Sequence, residues 1–171
     1  ALTDDAWMLV GWRDATGRMV MDRWDWATQL VFTTGDGTTS GGFTGTIPCG
    51  VIDGQWAGAI LDAGTGTGPF AFTDVTADPA PDCNAGLRPQ IDGLVASLEG
   101  AATVSLAQQE VQLDVAGVAK TEMDPWLWSW LAANQDAHLL VVKDAAGATS
   151  LIFAPTPLIG AEPPGEPSAA G

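Results

Sequence analysis

Residues 40–60, Ser-Gly-Gly-Phe-Thr-Gly-Thr-Ile-Pro-Cys-Gly-Val-Ile-Asp-Gly-Gln-Trp-Ala-Gly-Ala-Ile, restrict the folds open to this chain more than any other stretch. Glycine recurs every few positions, which permits tight turns and close approach of neighbouring strands. Phe43, Ile47, Val51, Trp56 and Ile60 stand between the glycines and need a core to enter. The stretch reads as a strand, a sharp corner at Pro48-Cys49-Gly50, and a second strand near 55–61. Cys49 is one of two cysteines; the other, Cys83, sits in Pro-Asp-Cys-Asn just before a helical pattern. A bond between the two would tie the corner to the start of that helix.

The remaining segments read mainly as strands. Residues 7–12 form a tryptophan-bearing strand, and the Asp-Ala-Thr-Gly that follows is a hairpin turn leading to a short return strand at 19–21. Residues 29–33 are a stronger strand and pair with 40–46. The Gly-Thr-Gly-Thr-Gly run within 62–69 lacks the lysine and the following helix of a phosphate cradle, and reads as a flexible turn. A strand resumes at 70–72, and a proline-punctuated loop is expected at 78–82. Leu87, Ile91, Leu94, Val95 and Leu98 recur at helical spacing, with Pro89 in the first turn and Gly100 at the stop. Strands are expected at 103–106 and 110–115. Asp124-Pro125 opens a second helix with body Trp-Leu-Trp-Ser-Trp-Leu-Ala-Ala, ended by Asn134. Residues 139–143 and 150–153 flank an Asp-Ala-Ala-Gly turn of the same style as the first. Pro and Gly accumulate from 154, so 157–171 reads as a flexible tail or linker.

The 171 residues suffice for one domain with its own core. Hydrophobic residues make up 46% and charged residues 16%, a globular balance. Six basic against 21 acidic residues leave a net charge of −15, which excludes ordinary nucleic-acid binding because phosphate contacts need clustered Lys and Arg. That charge serves solubility, and it also suits a basic partner. No apolar run is long enough for a transmembrane segment. Two cysteines fit one disulfide, two free thiols or half of a metal site. Zinc lacks ligands, since His138 is the single histidine. A disulfide closing 83 − 49 = 34 positions would contribute about 3–4 kcal/mol. We expect that disulfide, and with it an oxidising, extracytoplasmic compartment.

The order of these parts resembles the META domain, also called HslJ-like, of bacterial envelope and secreted proteins. The likeness rests on the tryptophan strand, the strand at 29–33, the Gly-Phe-x-Gly-x-x-x-Cys-Gly corner, Gly54-Gln-Trp56, the second cysteine in Asp82-Cys83-Asn84, and the amphipathic helix with closing strands. It covers roughly residues 6–155. Pro48 precedes the corner cysteine where the family has glycine, Gly50 replaces an asparagine, and Trp56 stands for a tyrosine. Asp92 lies near the position of the family's helix glutamate. The resemblance implies an α+β domain over 1–156, a curved antiparallel β-sheet forming a partial barrel, with one or two helices packed on it. The family's closing hairpin resembles 139–153, yet 103–115 could also supply those strands, and 124–153 would then be a partial repeat of 89–115 or an added helix-hairpin lobe. The resemblance also implies a secreted or lipid-anchored protein without a catalytic centre.

No catalytic constellation emerges from the residues themselves. His138 lacks a nucleophile motif. Asp53, Asp62, Glu99, Glu110 and Glu122 offer carboxylates for glycoside hydrolysis, but 21 acidic residues make some pair inevitable. Eight tryptophans with no tyrosine carry more weight, because tryptophan is enriched at binding hot spots. Trp128 is the leading exposed candidate, followed by Trp24 and Trp26. We therefore expect a non-enzymatic domain that binds another protein, without cofactor or metal. Binding of a small ligand or glycan on the concave sheet face is the alternative, and a carboxylate-dependent hydrolase the third reading.

Overall fold

The computed structural model describes residues 6–14, 16–22, 28–34, 39–58, 67–80, 85–108, 120–134 and 138–155, with backbone alone at 67, 85, 106–108, 120 and 138. Among these residues nine strands form one antiparallel sheet. They are β1 (Ala6–Arg13), β2 (Met19–Met21), β3 (Gln29–Thr34), β4 (Ser40–Ile47), β5 (Gly50–Gly58), β6 (Thr67–Pro79), β7 (Ala101–Gln108), β8 (His138–Asp144) and β9 (Thr149–Pro155). Helix α1 (Arg88–Glu99) lies between β6 and β7, and α2 (Pro125–Ala133) between β7 and β8.

Eight of the strands close into a barrel, because β9 returns to pair with β1 along Trp7↔Pro155 to Trp12↔Leu151. The expected partial barrel is therefore corrected to a closed one. The closing device is β1, which serves three partners. One edge faces β9, and the other is divided between β3 at Ala6–Met8 and β2 at Gly11–Arg13. Closure also makes β8 and β9 staves of the barrel, so the hairpin within 124–153 belongs to the main sheet. Two boundaries differ from the sequence reading. Strand β5 starts at Gly50, directly after the corner, and β6 continues through Pro79 where a loop was expected. Proline is tolerated there because it ends the strand. The strand expected at 110–115 lies outside the described residues.

Two cores share the barrel wall. The inner one holds Trp7, Leu9, Phe32, Phe43, Ile52, Trp56, Phe70, Phe72, Leu140, Val142, Leu151 and Phe153, closed over by Ile91, Leu94 and Leu98 of α1. Its aromatic rings touch in sequence: Trp56 stacks on Phe70 at 5.4 Å, Phe70 meets Phe72 at 5.1 Å, and Phe72 meets Phe43 edge-on at 5.6 Å. Offset and edge-on contacts of this kind are the favoured arrangements of aromatic quadrupoles. The outer core lies between the barrel's outside surface and α2. It takes Met8 and Val10 of β1, Leu139 and Val141 of β8, Ile152 and Ala154 of β9, and Leu127, Trp130 and Leu131 of α2. Strands buried on both faces lose the period-2 alternation. Hence the unbroken apolar runs Leu139–Val142 and Leu151–Ala154.

Gly54 marks one place where only glycine fits. A Cβ there would lie 2.6 Å from the Phe43 ring. Gly54 also stands at the register shift between Asp53 and Gln55, where β6 is bulged and Asp74 adopts φ +53°.

The two matching turns come out alike. In the first, the Asp14 carboxylate accepts from Thr16 N at 2.9 Å, Thr16 Oγ1 at 2.6 Å and Arg18 N at 3.1 Å, and Gly17 has φ +86°. In the second, Asp144 accepts from Ala146 N at 2.9 Å and Ala148 N at 3.0 Å, and Gly147 has φ +84°. An aspartate that bonds its own turn and a glycine at positive φ are what such loops demand.

Candidate functional site

Helix α2 carries the most exposed aromatic surface among the described residues. Asp124 starts it: its carboxylate accepts from Trp126 N at 3.0 Å and from Met21 N at 3.3 Å, and its own N–H donates to Met19 O at 2.7 Å. One side chain thus caps the helix and fastens it to β2. Arg18 Nη2 adds a bond to Met123 O at 2.9 Å. At the far end Asn134 donates from Nδ2 to Trp130 O at 2.8 Å. Across the middle, Leu127 seats against Gly11 of β1, where a Cβ would come within 2.8 Å of Leu127 Cδ2.

Leu127, Trp130 and Leu131 form the buried stripe at i, i+3 and i+4. At about 100° per residue, Trp126 and Trp128 fall on opposite flanks of that stripe. Trp128 is half-buried and packs on the outer core, whereas Trp126 is 41% exposed. The leading exposed tryptophan is thus Trp126, not Trp128. Projecting the sequence on a helix with Leu127 and Leu131 inward would have found it. Trp24 and Trp26 lie outside the described residues. The outward face of α2 holds Pro125, Trp126, Ser129 and Ala133, and the nine-residue helix has no charged side chain. Exposed Glu122 stands just before it.

Cys49 is disulfide-bonded, and Cys83 lies outside the described residues. Cys49 occupies the second corner of a two-residue hairpin turn between Ile47 and its partner Gly50, with φ +58°. Pro48 before a residue of positive φ is the pattern of a type II turn.

The concave face of the sheet is the barrel interior, filled by the inner core. Beneath α1, beside Leu9, Trp12, Thr28 and Gln90, about 10 Å³ is open to a water centre, room for one water at most. Of the carboxylates, Asp53 lies exposed on β5, Glu99 at the end of α1 and Glu122 before α2, on separate elements. Asp62, Glu110 and the side chain of His138 lie outside the described residues. Among the described residues no group of three or more His, Cys, Asp or Glu side chains could hold a metal ion, and no helix is long and apolar enough to cross a membrane.

Two features escaped the sequence reading. Asp22 is fully buried at the end of β2 and accepts from Gln90 Nε2 of α1 at 3.3 Å, linking that strand to the helix over the barrel. The second is a groove of about 270 Å³ between α1 and β6. Comparison with protein-family models, curated proteins and solved structures returned no match.

Proposed function

We propose that this chain is a non-catalytic, extracytoplasmic domain that binds another protein through the outward face of α2, with Trp126 as the anchor. The observation that carries the reading is Trp126 itself, 41% exposed on a helix with no charged residue in a chain of net charge −15. A large, partly exposed indole on a helix face with Pro125 and Ala133 suits insertion into an apolar socket of a partner. Glu122 at the helix start and the acidic balance of the chain favour a socket with a basic rim. The bonded Cys49 supports an oxidising compartment. The META-like order of parts agrees with an envelope or secreted setting and an accessory, non-enzymatic role.

The test is site-specific photocrosslinking. A benzophenone side chain is placed at position 126 and, as a reference, at position 51, since Val51 is the more exposed apolar residue at 52%. Envelope extract of the source organism should give a discrete adduct at 126, competed away by unlabelled protein, and none at 51. Equal background at both positions would remove the proposal.

A further inference from the structure

Strand β6 is long for its surroundings. One edge pairs with β5 from Phe70 to Pro79, but the other pairs with β7 only at Thr67, Gly68 and Pro69. Among the described residues no strand pairs with that second edge between Ala71 and Pro79. The bulge at Asp74 interrupts this edge, leaving 75–79 as a regular run of five residues, about 17 Å. Unpaired edges are templates for another strand, and proteins ordinarily cover them or blunt them with charge. Among the described residues this edge has no strand partner; α1 packs against β6 beside it, and an open groove of about 270 Å³ is left between the two. Ala77 lines it from β6, and Arg88, Asp92, Val95, Ala96 and Glu99 line it from α1.

The groove's chemistry selects its occupant. Val95, Ala96 and Ala77 give an apolar lining, while Asp92 and Glu99 add carboxylates against the single cation Arg88. Asp74 and Asp78 stand exposed on β6 itself. The chain's own end does not suit this environment. Residues 157–171 contain two glutamates and no Lys or Arg, so they lack the charge that would complement Asp92 and Glu99. A second copy at net charge −15 is repelled. We propose that the 75–79 edge of β6 and the adjoining α1 groove dock an extended basic segment of a partner protein, added to the sheet as one further strand. Its backbone pairs with β6, its apolar side chains enter the groove, and its Lys or Arg side chains meet Asp92 and Glu99. The surface is separate from the Trp126 face and stands independently of it.

The probe is an acetylated, amidated Lys-Val-Lys-Val-Lys-Val peptide, titrated into ¹⁵N-labelled protein. Two control peptides accompany it, Glu-Val-Glu-Val-Glu-Val and the Lys-Val peptide N-methylated at alternate residues. Amide shifts should be confined to β6 and α1 and should be absent with both controls. Asp92→Asn/Glu99→Gln should weaken binding about tenfold, Ala96→Trp should block it, and Trp126→Ala should leave it unchanged. Thermal melts establish that each variant is folded, and the charge-neutralised pair tests the site even if Ala96→Trp misfolds. Equal binding of the N-methylated peptide, shifts away from β6 and α1, or no binding of the Lys-Val peptide would each overturn the proposal.

Discussion

Replacing Cys49 separates two contributions that meet at one residue. Its disulfide, expected to Cys83, closes 83 − 49 = 34 positions. In the chain-entropy model that ring removes about 13 cal/mol/K from the unfolded ensemble, about 3.7 kcal/mol at 25 °C. For a chain of this size the loss lowers the melting temperature by roughly 7–15 °C. The backbone of Cys49 acts in the opposite direction. Its φ of +58° is a conformation glycine adopts freely and a β-carbon resists, at a cost of about 1 kcal/mol. Cys49→Ser should therefore lose the full ring contribution and match reduced wild type. Cys49→Gly should lose the same ring but recover about 1 kcal/mol relative to serine. Urea denaturation of wild type with and without reductant, and of both variants, reads all four values. Peptide mapping without reductant identifies the bonded pair. A serine variant as stable as oxidised wild type would refute the entropic argument, and a glycine variant no better than serine would refute the backbone argument.

Three further outcomes follow from the packing and the turns. Leu98 is fully buried where α1 closes over the barrel, so Leu98→Ala should cost about 2–5 kcal/mol in urea denaturation. Gly93 lies mid-helix, and nothing beyond the helix's own backbone comes within 4 Å of where a Cβ would sit. Gly93→Ala should therefore stabilise by about 0.5–1 kcal/mol, read as a higher urea midpoint at unchanged slope. The bond from the Thr16 hydroxyl, with help from the Arg18 and Thr16 amides, holds the Asp14 carboxyl below the ordinary aspartate range. A depressed folded value gives stability that is present above the unfolded pKa and lost as pH falls through the folded one. The gap between wild type and Asp14→Ala should thus be widest at neutral pH and shrink in acid, and it should be small because the turn is exposed to solvent.

Local chemistry carried most of what the sequence disclosed. Asp124, Pro125 and Asn134 bound α2 as their capping preferences require, and Pro89 with Gly100 bounds α1. The twin Asp-Ala-x-Gly turns were readable because their aspartates act within five residues. Long-range pairing was not readable in this way. Nothing local in residues 6–13 announces that β1 will pair with 151–155, and so a partial barrel was expected in place of a closed one. The apolar runs at 139–142 and 151–154 held a clue, since strands that never alternate are buried on both faces. Trp126 was missed for a related reason. Leu127, Trp130 and Leu131 fill the inner stripe and leave Trp126 on its flank, which shows only once the helix is laid against the barrel.

Because the seam joins β1 to residues as much as 155 − 7 = 148 positions later, no ring can shut until nearly the whole described chain has been made. That final seam carries a large loop-closure entropy and a high contact order, which makes it the natural slow step of assembly. The same staves, β1, β8 and β9, feed side chains to both hydrophobic clusters. Peeling β9 away therefore unlatches the interior and the α2 layer together, and the domain is built to come apart in one stroke.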